Sequence, residues 1–340
     1  MNFFPTNLPA LLALSFDEES SLGFSDGKMG GSVYFFHLSR TCHHPPYKKI
    51  AEKLLDQVFN NIHSVEKLDL REGLTGIGMA IHYLIRNKYV QGNENIILRD
   101  IDDTLFKNRI FGIAHSNINI EIDIHILLYL CIRFQALEKI PEQHYLFQEL
   151  AAEVINESYN KIDLNFFNEP VVFKIDHVLP LYIYVLSKIA KTGFYKQRIE
   201  KILNEISPNI LNRIPCLDSN KLHLMAALHY ASQILPLEGW SRHAQLLKRE
   251  INFNHILSQE IQSWNIFIKN GFSGIKLLID NSTEIFSSQE ISTLKQRINQ
   301  KIENSETMKH IWTPENIKPY KGLLNGFPGV VFVQDNLLKL

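Results

Sequence analysis

Residues 69–84 read DLREGLTGIGMAIHYL, a pair of glycines three positions apart directly before an apolar run of helical length. The same arrangement occurs three more times, as GKMGGSVYFFHL at 27–38, GFSGIKLLI at 271–279 and GFPGVVFV at 326–333. Glycine carries no Cβ, so it lets the backbone approach a neighbouring segment closely. Four copies of this motif predict a fold built from one repeated unit. A second interpretation is that free N–H groups at the helix starts bind anions or a peptide.

The spacing of the glycine pairs sets the number of units. The second glycine of each pair is Gly30, Gly76, Gly274 or Gly329. Units follow each other at roughly 45–60 residues, so the long gap after Gly76 has room for three degenerate copies. We predict these copies at Phe111–Leu130 (markers Ser116 and Asn119), Lys174–Ile189 (marker Pro180) and Leu222–Ile234 (markers Ala226 and Ala227). Seven units predict one repeat domain over residues 1–340 rather than two domains.

Each unit contains two kinds of helical pattern. The helix that follows the glycines is apolar nearly all round, which predicts burial on every face. The second helix is amphipathic, with one apolar stripe and one charged side. Such stripes run through Tyr47–Val58, Tyr195–Ile206 and Ile291–Ile302. Buried helices that alternate with half-exposed ones favour an all-α fold, a double-layered α/α toroid of about seven helix pairs, over an open solenoid.

One segment has a mixed pattern. Ile118–Ile126 alternates isoleucine with polar residues, as a β-strand does, and then continues into a helical run. We predict helix from about Glu121.

Bulk composition excludes several classes of protein. The net charge is -1 and the isoelectric point is about 6.9, so the overall charge does not favour binding to nucleic acid or to an anionic membrane. The chain has no apolar run long enough to span a membrane and no basic region typical of a signal peptide. Its 3 cysteines are scattered, which is typical of a reducing compartment. We therefore expect a cytoplasmic protein.

The glycine repeats resemble those of the lanthionine synthetase C-like (lanthipeptide cyclase) family, which read roughly G-L-x-x-G-x-A-G-I. The matching stretches are Gly73–Gly78 and Gly322–Val330. The resemblance implies an α/α toroid that adds a cysteine thiol to a dehydrated Ser or Thr in a ribosomally made peptide. It also implies zinc, which lowers the pKa of a thiol so that thiolate is present at neutral pH.

The chain departs from the family at the zinc ligands. The family uses a cysteine in its fifth unit and a Cys-His pair just before the glycine of its sixth. Here the sixth unit reads Lys269-Asn270-Gly271, and the fifth, at Leu222–Ala226, has no cysteine. Cys42-His43-His44 is a local Cys/His cluster without a second ligand pair at a zinc-site spacing. We therefore predict no metal and no other cofactor.

The resemblance also implies an acid and a base. Asp69 stands four residues before Gly73, as a family aspartate does before its glycine, although in the second unit rather than the third. His177, in Asp176-His177-Val178-Leu179-Pro180, resembles the family's His-Gly-x-Pro-Gly, and His115 is its rival. The plainer interpretations are a capping carboxylate for Asp69 and a buried, hydrogen-bonded imidazole for His177.

Three functions are consistent with these residues. The first is a cyclase-like protein that binds a ribosomal precursor peptide or a peptide-modifying enzyme without zinc chemistry of its own. The second is an active, metal-independent cyclase that uses Asp69 and His177. The third is an α/α-toroid carbohydrate-active enzyme with Asp26 and Asp69 as its two carboxylates, although only 3 Trp are present for sugar stacking.

Overall fold

The computed structural model describes residues 4–110, 119–137, 141–310 and 312–335. Those residues form helices and connecting loops, and no β-strand occurs among them. The chain divides into two compact units. We call Thr6–Lys161 with Thr313–Pro328 the N-terminal unit, and Ile162–Trp312 with Met1–Pro5 and Gly329–Leu340 the C-terminal unit. The single domain over residues 1–340 stays a prediction.

The helices of the N-terminal unit are α1 Leu8–Ser15, α2 Lys28–Thr41, α3 Pro45–Asn61, α4 Leu74–Arg86, α5 Glu94–Ile97, α6 Arg99–Ile110, α7 Ile120–Leu137 and α8 Pro141–Asn160. Those of the C-terminal unit are α9 Val178–Lys191, α10 Lys196–Leu211, α11 Asp218–Ile234, α12 Trp240–Glu250, α13 Phe253–His255, α14 Phe272–Asp280, α15 Ser288–Glu303 and α16 Glu306–His310. The chain ends with α17 Pro314–Ile317 and α18 Phe327–Gln334. Short 3₁₀ turns are Ile62–Ser64, Leu164–Phe167 and Lys318–Tyr320, and Ile256–Glu260 forms a π-helical turn.

Buried and half-exposed helices alternate within each unit. Every residue of α2 from Lys28 to Leu38 is buried, whereas α3 buries only one stripe of its side chains. In five cases, a buried helix packs against the amphipathic helix that follows it. These pairs are α2 with α3, α7 with α8, α9 with α10, α11 with α12, and α14 with α15. The helix pairs predicted from the two hydrophobic patterns are therefore present.

The glycine motif has a specific structural role. At α2, α4 and α14, the N–H of the first helical residue donates to a carbonyl seven residues earlier. The bonds are Lys28 N to Ser21 O (2.8 Å), Leu74 N to Lys67 O (2.9 Å) and Phe272 N to Asn265 O (3.0 Å). A Cβ at the second glycine would collide with the backbone carbonyl of Phe24, Leu70 or Ile268. These first N–H groups are already bonded within their own loops, so the motif organises the fold rather than binding a ligand.

The degenerate copies confirm some predicted positions and correct others. Helix α7 begins at Ile120, one residue from the predicted start, and Asn119 accepts a bond from Ile122 N at its N-terminus (3.0 Å). Pro180 lies three residues after the N-cap of α9, as predicted. The markers Ala226 and Ala227 were wrong, because α11 begins at Asp218.

Candidate functional site

His177 is the N-cap residue of α9 in the C-terminal unit. Its loop is tied to the loop before α14, because Ile175 N donates to Lys269 O (2.8 Å). Neither ring nitrogen of His177 meets hydrogen-bond geometry with a described residue, although both are shielded from solvent. Buried polar groups are normally hydrogen-bonded, and the Asn168 backbone lies close enough to act on the pKa of this ring. The buried, hydrogen-bonded interpretation of His177 stays a prediction.

A second histidine lies beside the first. The ring centroids of His177 and His223 are 6.4 Å apart. Burial, with a smaller contribution from the neighbouring His177, lowers the pKa of His223 to about 3, although the Lys174 backbone opposes the shift. Burial also lowers the pKa of His177, and the Asn168 backbone offsets this only in part. Both imidazoles are therefore neutral at pH 7, the form in which histidine accepts a proton.

His177 borders a cavity of about 380 Å³. The wall beside it includes Glu169, Arg213 and Asn220. Glu169 is held in place, because it accepts bonds from Cys216 N (2.7 Å), Leu217 N (2.8 Å) and Asn220 Nδ2 (2.9 Å). Its charge therefore faces the start of α11, where the helix dipole favours an anion.

A second cavity of about 290 Å³ lies between α9, α11 and the segment after α14. His223 and Pro180 line it at one end. Other lining residues are Tyr184, Lys191, His229, Tyr230 and Glu284. The rings of Tyr184 and Tyr230 pack at a centroid distance of 4.9 Å. Its walls therefore combine aromatic faces with groups of both charges.

Asp69, the other predicted catalytic residue, belongs to the N-terminal unit. Its Oδ1 accepts bonds from Arg71 N and Glu72 N, both at 2.8 Å, and its carbonyl accepts one from Gly73 N (3.1 Å). This carboxylate thus shapes the loop before α4, as the capping interpretation predicts. A catalytic role for Asp69 stays a prediction. His115, the rival of His177, lies outside the described residues.

The residues at the family's zinc positions do not fit a zinc ion. The loop before α14 ends in Lys269 and Asn270, and neither side chain is a thiolate or an imidazole. Cys216 is exposed just before α11. Cys42 is also exposed, and it caps the end of α2 through its N–H bond to Leu38 O (2.9 Å). We therefore derive no zinc-dependent step from these positions.

Three loops that precede buried helices of the C-terminal unit expose large apolar side chains. Val171 is 92% exposed in the loop before α9, Ile214 is 51% exposed before α11, and Trp264 is 53% exposed before α14. Single exposed apolar side chains are common on protein surfaces, so their exposure does not by itself assign a function. We call these three residues the apolar rim.

Two structural findings concern a membrane span and the carbohydrate-active alternative. No helix in the part of the chain that the structure describes is long and apolar enough to cross a bilayer. Trp240 is fully buried and donates to Ser207 Oγ (2.8 Å), so it does not stack on a sugar. The carbohydrate-active alternative therefore gains no support from Trp240.

No family model matches the chain, and no curated protein matches it. Among solved structures it is similar to nisin cyclase, with 14% sequence identity and a TM-score of 0.65 over 96% of this chain and 92% of that one. The chain has a lanthionine cyclase-like fold. The predicted fold class, an all-α toroid of helix pairs, is confirmed by this similarity.

Some residues that shape this region of the C-terminal unit could not be identified from the sequence. Glu169 and Glu260 both bind N–H groups at the start of α11, from positions more than 40 residues away in the chain. Neither belongs to a motif, and only the folded chain brings them to this helix. The apolar rim was missed for the same reason, since its members are isolated in sequence.

Proposed function

We propose that this protein takes part in maturation of a ribosomally synthesised peptide by binding the precursor, without zinc-activated thiol chemistry at the family positions. The observation that carries the proposal is Lys269-Asn270 at the start of α14 in a lanthionine cyclase-like fold. The fold matches a protein named for cyclisation of nisin, while the side chains at this point cannot hold zinc. Binding is the part of that activity which needs no metal.

The apolar rim supports peptide binding at the His177 end of the C-terminal unit. Val171, Ile214 and Trp264 present apolar surface on the loops before three successive buried helices. Exposed aromatic and aliphatic anchors of this kind supply much of the free energy of peptide recognition. The neighbouring cavity of about 380 Å³ is large enough for a side chain of the bound peptide.

A binding titration tests the proposal. A fluorescent, dehydrated and cysteine-bearing precursor peptide is titrated with wild-type protein, with Ile214→Glu and with Ile96→Glu. Ile96 is a matched control, because it is 63% exposed but lies in the N-terminal unit. We expect Ile214→Glu to weaken binding at least tenfold and Ile96→Glu to leave it unchanged. Equal affinity in all three proteins would contradict the proposed surface.

A peptide-modifying enzyme is the alternative partner. If the precursor does not bind alone but binds once the dehydratase of the same pathway is added, the partner enzyme rather than the peptide occupies the apolar rim. The titration is then repeated with Ile214→Glu in the presence of that enzyme. If the enzyme occupies the apolar rim, this substitution abolishes binding of the enzyme. If the peptide occupies the rim, the enzyme still binds.

A metal-independent cyclase remains a second candidate function, and His177 is the observation that favours it. Its ring is neutral at pH 7 and borders a cavity of about 380 Å³, so it can take the thiol proton when cysteine adds to a dehydrated residue. In that reaction the thiolate sulfur bonds the β-carbon, and the proton is returned to the α-carbon. Thioether formation that needs His177 but no metal would establish this function.

A further inference from the structure

A cluster of three ligand-type side chains lies at the start of α11, outside the site described above. Asp218 is the first residue of α11, His255 is the last residue of α13, and Glu260 ends the π-helical turn. The Nδ1 atom of His255 is 3.0 Å from Asp218 Oδ2 and 3.0 Å from Glu260 Oε1. Two carboxylate oxygens therefore converge on one imidazole nitrogen.

The two carboxylates are buried and fixed. Their side chains are 7% and 3% exposed, for Asp218 and Glu260 respectively, whereas that of His255 is 37% exposed. Asp218 Oδ1 pairs with Lys221 Nζ at 2.8 Å. Glu260 accepts Asp218 N at Oε1 (2.6 Å) and Ser219 N at Oε2 (2.9 Å). These contacts orient both groups and leave Asp218 Oδ2 and Glu260 Oε1 facing the imidazole.

Hydrogen bonding alone does not satisfy this arrangement. Nδ1 of an imidazole carries at most one hydrogen, and here it faces two oxygens at the same distance. Lys221 Nζ and two backbone N–H groups already bind these carboxylates, but the two oxygens that face Nδ1 share a single proton between them. A cation at this point would instead accept lone pairs from all three side chains at once.

The two distances of 3.0 Å fit octahedral coordination better than tetrahedral coordination. Two ligand atoms 3.0 Å apart subtend an angle of about 90° at an ion that lies about 2.1 Å from each. Octahedral coordination has this angle, while a tetrahedral site needs ligands about 3.4 Å apart at the same bond length. One imidazole with two carboxylates suits Mn²⁺, Fe²⁺, Co²⁺ or Zn²⁺, with water in the remaining positions.

Two local features agree with a bound ion. The π-helical turn at Ile256–Glu260 is a rare geometry that often marks functional sites, and it delivers Glu260 to the cluster. The Ser219 hydroxyl is fully buried, and it has no hydrogen-bond partner among the described residues. Ser219 lies directly beside the cluster, because its N–H donates to Glu260 Oε2 (2.9 Å).

We propose that Asp218, His255 and Glu260 bind a divalent transition-metal ion, which fastens residues 253–260 to the start of α11. The ion is structural, because its ligands come from two segments that the chain must hold together. The site is separate from Lys269 and Asn270, and it does not depend on the proposed peptide function.

Calorimetric titration of chelator-treated protein with Mn²⁺, and separately with Zn²⁺, tests the site. We expect one ion per chain in the wild type and at least a tenfold loss of affinity in His255→Gln. His63→Gln is the matched control, since His63 is exposed and lies in the N-terminal unit. It should bind the ion as the wild type does. Asp218→Asn is a second variant, which keeps the shape of the side chain while removing its charge.

A stability readout checks that the bound ion acts on the fold. Millimolar Mn²⁺ should raise the midpoint of thermal unfolding of the wild type and of His63→Gln, but not that of His255→Gln. The proposal is overturned if the wild type binds no ion, or if the stoichiometric ion survives His255→Gln and is lost in Cys42→Ser. Failure of either kind leaves the peptide-binding test unaffected, because that test contains no metal.

Discussion

At the scale of single residues, Gly76 is where the sequence is most constrained. A Cβ there would meet the Leu70 carbonyl group, whose carbon lies 2.8 Å away, and the Phe24 side chain at 3.1 Å. Because the Leu70 obstacle is backbone, it cannot move aside cheaply. We predict that Gly76→Ala lowers the free energy of unfolding by about 1–3 kcal/mol.

Urea denaturation measures this loss against Gly92→Ala. Gly92 is exposed, and an added methyl there meets only the movable end of the Ile97 side chain. The control should therefore change stability little. Equal stability of Gly76→Ala and Gly92→Ala would show that the close approach at Gly76 does not matter to the fold.

His223 makes stability depend on pH. Its pKa is about 3 in the folded protein and near 6.5 when unfolded, because burial disfavours the charged ring. The unfolded chain therefore binds a proton that the folded one does not, and stability present above pH 6.5 is lost as the pH falls toward 3. We predict that this residue contributes a decline of about 1.4 kcal/mol per pH unit across that window.

Comparing urea unfolding of wild type and His223→Gln at pH 7.5, 6 and 5 isolates this contribution. The variant should lose stability less steeply on acidification, although His177 and His243, whose pKa values burial also lowers, keep part of the slope. Parallel pH dependence in the two proteins would contradict the assignment to His223.

Single residues also mark the limit of sequence reasoning. Asp69 and His177 were predicted as site residues because each stands next to a local motif, and the bonds of Asp69 agree with its capping interpretation. Glu169 and His255 were not found, because their partners are distant in the chain. No local pattern records that a carboxylate will meet a helix 48 positions later.

At the scale of elements, α11 depends on side chains from other segments for its start. Glu169 binds Cys216 N and Leu217 N, while Glu260 binds Asp218 N and Ser219 N. We predict that Glu169→Gln costs about 1–3 kcal/mol, because the amide offers one acceptor where the carboxylate offers two.

Glu290→Gln is the control for this measurement. Glu290 forms the capping box of α15 with Ser287, but it is exposed, so its loss should cost under about 1 kcal/mol. Chemical denaturation of the two variants gives the comparison. If Glu169→Gln costs no more stability than Glu290→Gln, water replaces the bonds that the Glu169 carboxylate makes to the start of α11.

Helices with a strong local signal were predictable, and the others were not. Hydrophobic stripes predicted α3, α10 and α15, and glycine pairs predicted the starts of α4 and α14. The start of α11 was misplaced to Leu222, because its N-terminus is set by Glu169 and Glu260 rather than by glycine. Local propensity fixes a helix end only where the cap is also local.

At the scale of the whole molecule, the repeat spacing and the glycine motif were enough to predict the fold class. The similarity to nisin cyclase over 96% of the chain confirms it, although the two share only 14% of their residues. The function could not be predicted in the same way. It depends on a few side chains, and the same fold accommodates different residues at those positions. The proposed absence of zinc chemistry rests on Lys269 and Asn270.

We propose that this protein, with its lanthionine cyclase-like fold, binds a precursor peptide without zinc-activated thiol addition. The direct measurement is mass spectrometry of a dehydrated, cysteine-bearing peptide after incubation with the protein and alkylation of its free thiols, with chelator and with added zinc. We predict that the peptide binds and that its thiols are fully alkylated in both conditions. Loss of free thiols that survives chelator and fails in His177→Ala would favour the metal-independent cyclase. Thioether formation that requires added zinc would contradict the claim.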